Sequence, residues 1–144
     1  TAFARTILDD ADAATARATL SILTPIIVAV SDETTALTTG TAKLTFRMPF
    51  AYEVTSVAGF RASLTTASSG AAPSIDINKS GVSIFSTTLT IDANEKTSVT
   101  AATPAVLVAT PTTFTDDEAI TIDIDTAGTL AAGLKIAFIG RKTS

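Results

Sequence analysis

The stretch "DDEAITIDID", residues 116–125, decides the fold class. Ile120, Ile122 and Ile124 alternate with Thr121, Asp123 and Asp125. Alternation at every second residue puts isoleucine on one face of an extended chain and polar groups on the other. A helix would spread the same isoleucines around its axis. β-branched Ile and Thr also fit the pleated, half-buried surface of a sheet. The segment therefore reads as a strand with one face in a core.

Its neighbours follow the same rule. "KLTFRM", 43–48, sets Leu44, Phe46 and Met48 against Lys43, Thr45 and Arg47, and Pro49 ends it. In "EVTSVAGFRASL", 53–64, Phe60, Ala62 and Leu64 oppose Arg61 and Ser63, with Val57 and Gly59 out of pattern. "SIDINKSG" turns Ile75 and Ile77 inward and Asp76 and Asn78 outward. "VSIF", "TLTID", a short strand near Ser98 to Thr100 and the closing "GLKIAFIG", 133–140, extend the series. "IIVAV", 26–30, and "AVLVA", 105–109, are continuous apolar runs of the kind expected of fully buried strands. That makes roughly eight to ten short strands separated by regular turn signals, without strand–helix alternation. The expected fold is all-β: an antiparallel β-sandwich, jelly-roll-like, with a short N-terminal α-helix. Strand order is not legible.

The helix is expected in "ILDDADAATARATL", 7–20. Asp9 or Asp10 can cap its amino end, and Asp12 complements its dipole. Ala11, Ala14 and Ala18 fall on one face. So short a helix is unstable alone, and a stripe of methyl groups releases little free energy unless its partner comes very close. The expected division is a helical linker and trimerisation segment over 1–24 and a β-sandwich domain over 25–144.

The 144 residues carry a net charge of −4, and 46% are hydrophobic. A phosphate backbone would be repelled, so nucleic acid is not an expected partner. The apolar run at 22–30, interrupted by Thr24 and Pro25, is too short to span a bilayer, so no membrane insertion is expected. The chain opens on Thr1 rather than methionine, which fits either a processed chain or the end of a longer polypeptide. Cysteine and histidine are both absent, removing thiol chemistry and the commonest general base and metal ligand. No nucleophile elbow or phosphate loop is present. No catalytic residue and no cofactor is expected.

Asp123 and Asp125, with Asp116, Asp117 and Glu118 before them, form the densest charge cluster. They are weak candidates for a calcium site, or else a solvated strand face that keeps an edge from pairing. A glycosidase pair would need opposed carboxylates, and neither Asp76 nor Asp92 is singled out as a partner. For binding, the candidates are the loop groups Arg47, Phe50, Tyr52 and Arg61; sugar recognition usually wants a flat amphipathic ring, and the chain offers one Tyr and no Trp. The alternative is that Phe50 caps the core beside Pro49 and that Arg61 pairs with an acidic neighbour.

The leading segment resembles one found in bacteriophage tail fibres, of the form L-D-D-A-D-A-A-x-A-R-x-T-L. Leu8, Asp9, Asp10, Ala11, Asp12, Ala13, Ala14, Ala16, Arg17, Thr19 and Leu20 match it, and Ser21 stands where glycine usually follows. "RASLTTASSGAAPSIDINKSGVSIFSTTLTIDANEKTS", "TAATPAV" and "DDEAITIDIDTAGTLAAGLKIAFIG" resemble a small β module at the ends of phage structural proteins. These resemblances imply a homotrimeric tail-fibre or head-fibre (spike) component of the virion, assembled in the host bacterial cytoplasm. In it Leu8, Ala11, Ala14 and Ala18 would meet their copies around the axis. Attachment to a host surface polysaccharide is the leading expectation for function. A head fibre or capsid decoration module, contacting other virion proteins, is the alternative. A glycan-active enzyme comes third and a free-standing carbohydrate-binding domain fourth.

Overall fold

The structure, a computed structural model, describes residues 2–143, with the side chains of all of these except Phe3, Ile7 and Leu8. Two short helices, α1 (Ala2–Leu8) and α2 (Ala13–Thr19), lead into the strands. These are β1 (Thr24–Ala29), β2 (Gly40–Arg47), β3 (Tyr52–Val54), β4 (Phe60–Ser63), β5 (Ser74–Lys79) and β6 (Val82–Ser83). There follow β7 (Phe85–Thr87), β8 (Leu89–Thr90), β9 (Val106–Leu107), β10 (Thr112–Phe114), β11 (Ala119–Thr126) and β12 (Lys135–Lys142).

One sheet runs β1-β12-β3-β10, with β4 also paired to β12; the other runs β2-β11-β5-β6, with β8 paired to β5. A small ribbon joins β7 to β9, and every ladder is antiparallel. The first strand thus lies beside the last, and the second beside the penultimate. That is the order left when one long antiparallel ribbon rolls up, the jelly-roll arrangement.

The alternating isoleucines explain why it closes. Ile75, Ile77, Ile120, Ile122 and Ile124 of one sheet are buried against Tyr52, Val54, Phe60, Ala62, Ile136 and Phe138 of the other. Phe138 sits at the centre, its ring edge-on to Phe46 of the opposite sheet at 5.8 Å and to Phe60 at 5.6 Å. Each isoleucine withdrawn from water contributes roughly 1.5–3 kcal/mol.

Several local expectations need correction. The leading segment is two helices rather than one, because Asp12 is extended (φ −156°) and caps α2 itself, accepting the Thr15 amide at 2.8 Å. That amide holds the Asp12 carboxyl below its ordinary pKa. Asp10 instead accepts the Thr19 hydroxyl at 3.3 Å. A run of aspartates offers the backbone such alternatives to helical bonding, which is why the helix breaks there. The run 26–30 is not buried on both sides: β1 is the edge of its sheet, and Ile27 is 66% exposed. Within 53–64, a single 3-10 turn (Val57–Gly59) separates β3 from β4. Ser98–Thr100 is a 3-10 turn, not a strand. The run 105–109 supplies only the two residues of β9, with Val106 and Val108 exposed.

Candidate functional site

The four residues expected to bind a receptor are not brought together. Arg61 lies opposite Ala137 on β12, whereas Tyr52 lies opposite Lys142, on the order of 17 Å further along the strand. Arg47, at the end of β2, points outward and donates to the Asp117 carbonyl oxygen at 2.8 Å, with the Asp117 carboxylate 3.7 Å away. Phe50 is half-buried, tilted against Tyr52 at 6.0 Å between centroids, and the Lys142 ammonium stands 5.4 Å over its ring.

Tyr52 is the plainest correction. It is 0% exposed, so it is a core residue and presents nothing to a ligand. The residue begins a strand whose alternate positions are buried, and its hydroxyl meets the Thr24 and Phe138 carbonyl oxygens and the Gly140 amide. Burial pushes its pKa up, opposed in part by the Gly140 N–H.

Arg61 departs from the expectation of an acidic partner. It pairs with no carboxylate among the described residues. Its Nε donates to the Ala58 carbonyl oxygen at 3.2 Å, and its side chain lines an open groove of about 200 Å³. Phe60 and Leu89 form its base, and Val57, Val99, Pro104 and Ala105 its sides. The Ser98 hydroxyl, also in the wall, accepts the Ala62 amide at 2.9 Å. Sequence reasoning named Arg61 and missed the others. Residues 98–100, expected as a strand, form a 3-10 turn, and only the fold lays this turn against β4.

A second groove, of about 210 Å³, lies between β6 and the segment 108–113 and is lined by Val82, Ile84, Val108 and Pro111. Its one cation, Lys79, is occupied with the Thr113 carbonyl oxygen at 3.0 Å.

The acidic candidates share the outer face of the second sheet. Asp123 lies directly opposite Asp76 in the ladder. Asp123 accepts the Ala42 amide at 2.7 Å and the Asn78 Nδ2 at 3.0 Å, while Asp76 accepts the Ser83 hydroxyl at 2.6 Å. Their charges are thus held by neutral donors. Asp125 has no such donor among the described residues. Desolvation raises its pKa, with further increments from Asp76 and Asp123. Among the described residues, no group of three or more His, Cys, Asp or Glu side chains is disposed to hold a metal ion, and neither groove includes these aspartates. Asp92 accepts the Ala102 amide at 2.7 Å and so ties down the loop beside the Arg61 groove.

Of the oligomerisation candidates, Ala14 and Ala18 are half-buried on α2, which contacts β12 of its own domain. Ala11 is exposed in the turn before α2, and the side chain of Leu8 lies outside what is described. A larger apolar surface lies just beyond. Leu20, Ile22 and Leu23 are 43%, 44% and 56% exposed and lead into Ile27. On the same outward face the ladder sets Pro25 beside Ile139 and Ile27 beside Ala137. No helix is long and apolar enough to cross a membrane among the described residues. The chain matches no protein-family model, no curated protein and no solved structure.

Proposed function

We propose that this chain is a bacteriophage fibre or spike module, a homotrimer whose jelly rolls attach the virion to a polysaccharide of the host surface. The observation that carries the reading is the outward apolar strip of the leading segment and β1. Leu23 and Ile27 face water in the single chain, directly after the segment whose text resembles a fibre junction. An exposed apolar patch of this kind marks an interaction surface. On β1 it lies along an unpaired sheet edge, which proteins ordinarily cover or charge.

Copies of the chain meeting through this strip would cover the edge and bring their α2 helices toward one axis. The alanines on α2 then serve twice, half against β12 and half toward a neighbour. In the ladder Arg61 lies beside Ala137, which lies beside Ile27, so the Arg61 groove borders the strip on the same outward face, two strands away. Trimeric display also multiplies weak sugar contacts through effective concentration.

Light scattering at micromolar concentration tests the assembly, and adhesion of the purified protein to host cells tests attachment. A mass of three 14.7-kDa chains with saturable adhesion is expected. A monomer that adheres to nothing ends the proposal.

A further inference from the structure

We infer that the groove at Arg61 is a subsite for one carboxylate-bearing pyranose, a sugar of the uronic-acid type. Three features select that ligand. The first is charge. Arg61 is a cation without a carboxylate partner among the described residues, in a chain of net charge −4, and with Nε bonded to the Ala58 carbonyl its two Nη groups have no partner among those residues. Two parallel N–H donors match the two oxygens of a carboxylate.

The second is the apolar wall. Phe60 and Leu89 close the base but are almost wholly covered, so the accessible apolar surface comes from Val99, 62% exposed, with Val57, Pro104 and Ala105. That surface suits the C–H face of a sugar ring, and the groove, open to solvent, can receive one ring of a longer chain. The third is the Ser98 hydroxyl. Its oxygen accepts the Ala62 amide, so its own proton remains to donate to a ring hydroxyl.

A peptide carboxyl terminus offers the same anion but would want a strand edge for its backbone. The free side of β4 is already taken: the Ser98 hydroxyl meets Ala62, and the Leu64 amide donates to the Lys96 carbonyl oxygen. The peptide is therefore an outcome of the test, not the proposal.

The biological source of the sugar rests on the attachment reading above, but the site does not. All its walls come from one chain. Binding of methyl β-glucuronide, methyl β-glucoside, acetate and a short peptide with a free carboxyl terminus is followed by methyl chemical shifts. The intact chain and its Arg61→Gln, Val99→Asp, Arg47→Gln and Ile27→Asp variants are compared, with melting curves to verify that each variant is folded. The glucuronide is expected to shift resonances of Val57, Val99 and Ala105 and to bind at least about tenfold better than the glucoside. Arg61→Gln should remove that difference, and Val99→Asp should abolish binding by repulsion across the groove. Arg47→Gln, on a remote surface, should change nothing.

Equal binding of glucoside, acetate or peptide overturns the inference, as does undiminished binding by folded Arg61→Gln. Binding by Ile27→Asp alone would mean that a second copy covers the groove, and overturns it too. Loss of adhesion and assembly with glucuronide selectivity intact would instead end the attachment reading and leave the subsite standing.

Discussion

The Gly140 amide donates to the Tyr52 hydroxyl at 2.7 Å, at the seam where β12 leaves β4 and takes up β3. The same hydroxyl lies 3.0 Å from the Phe138 carbonyl oxygen and 2.5 Å from that of Thr24 in β1. One buried phenol therefore gathers backbone groups from β1 and β12, and its own backbone pairs β3 to both β12 and β10. Replacing Tyr52 with Phe keeps the ring and strands those groups in the core. A loss of about 1–3 kcal/mol is expected in urea unfolding, the cost of leaving buried polar groups without partners. Sugar binding at Arg61 should be unchanged, because Tyr52 touches no ligand.

Gly140 tests the same seam sterically. A Cβ at this position would stand 2.2 Å from the Glu53 carbonyl oxygen and 2.9 Å from Tyr52 Cε1. The first obstacle is backbone of the neighbouring strand and cannot swing away. Gly140→Ala should therefore force β3 from β12, disturbing also the Arg141–Glu53 ion pair at 2.6 Å. A destabilisation of about 3 kcal/mol is expected from overpacking of this kind, with a melting temperature lowered to match. A melt equal to that of the unaltered protein would contradict the packing described.

The parts of this fold that could be read from the chain are those governed by period. Ile120, Ile122 and Ile124 point inward as their alternation requires, and so do Ile75, Ile77, Phe60 and Ala62. What escaped depends on neighbours. Nothing in "IIVAV" says that β1 lies at an edge, so the exposure of Ile27 follows from the strand order alone. Tyr52 looked like a loop residue because Pro49 precedes it, yet three long-range hydrogen bonds make it core. The Arg61 groove joins residues from 57 to 105 across four elements and a loop, and only Arg61 carried a sign of it in advance.

Two aspartates give opposite pH responses. Asp32 accepts the Thr35 and Thr34 amides, which lower its pKa to about 2. A depressed carboxylate contributes stability above its unfolded value, near 3.8, and loses it as pH falls toward 2. Asp125 is raised, chiefly by desolvation and then by Asp76 and Asp123. Its protonated form is the favoured one in the fold, so its relative stabilisation is complete below 3.8 and is lost as pH rises through its folded value. Asp125→Asn should therefore stabilise the protein slightly at pH 7, with the gain vanishing toward pH 3. Asp32→Asn should destabilise it at pH 7, with the loss shrinking as the pH is lowered. Melting temperatures of the variants across pH 2–8 check both signs, and parallel curves would refute the assignment.

Ile27 separates the needs of the single domain from those of an assembly. At 66% exposure, and opposite Ala137 in the ladder, it contributes little to the core of its own chain. Ile27→Asp should therefore leave the fold intact, with unfolding at high dilution changed by no more than about 0.5 kcal/mol, the usual range at surface positions. Within a trimer the same change places carboxylates in an apolar contact, where an unpaired charge costs several kcal/mol. The scattering mass should fall from three chains to one, and the concentration dependence of the melting temperature should disappear, because association no longer stabilises the folded state. Leu23→Ser, on the same outward face, should weaken assembly without abolishing it, since it removes apolar area and adds no charge. Arg47→Gln provides a control away from the strip: it loses the contacts with Asp117 at the end of β2, in the other sheet, and touches no part of β1. A trimer that persists in Ile27→Asp would place the contact between chains elsewhere, and the exposed row on β1 would then need a different occupant.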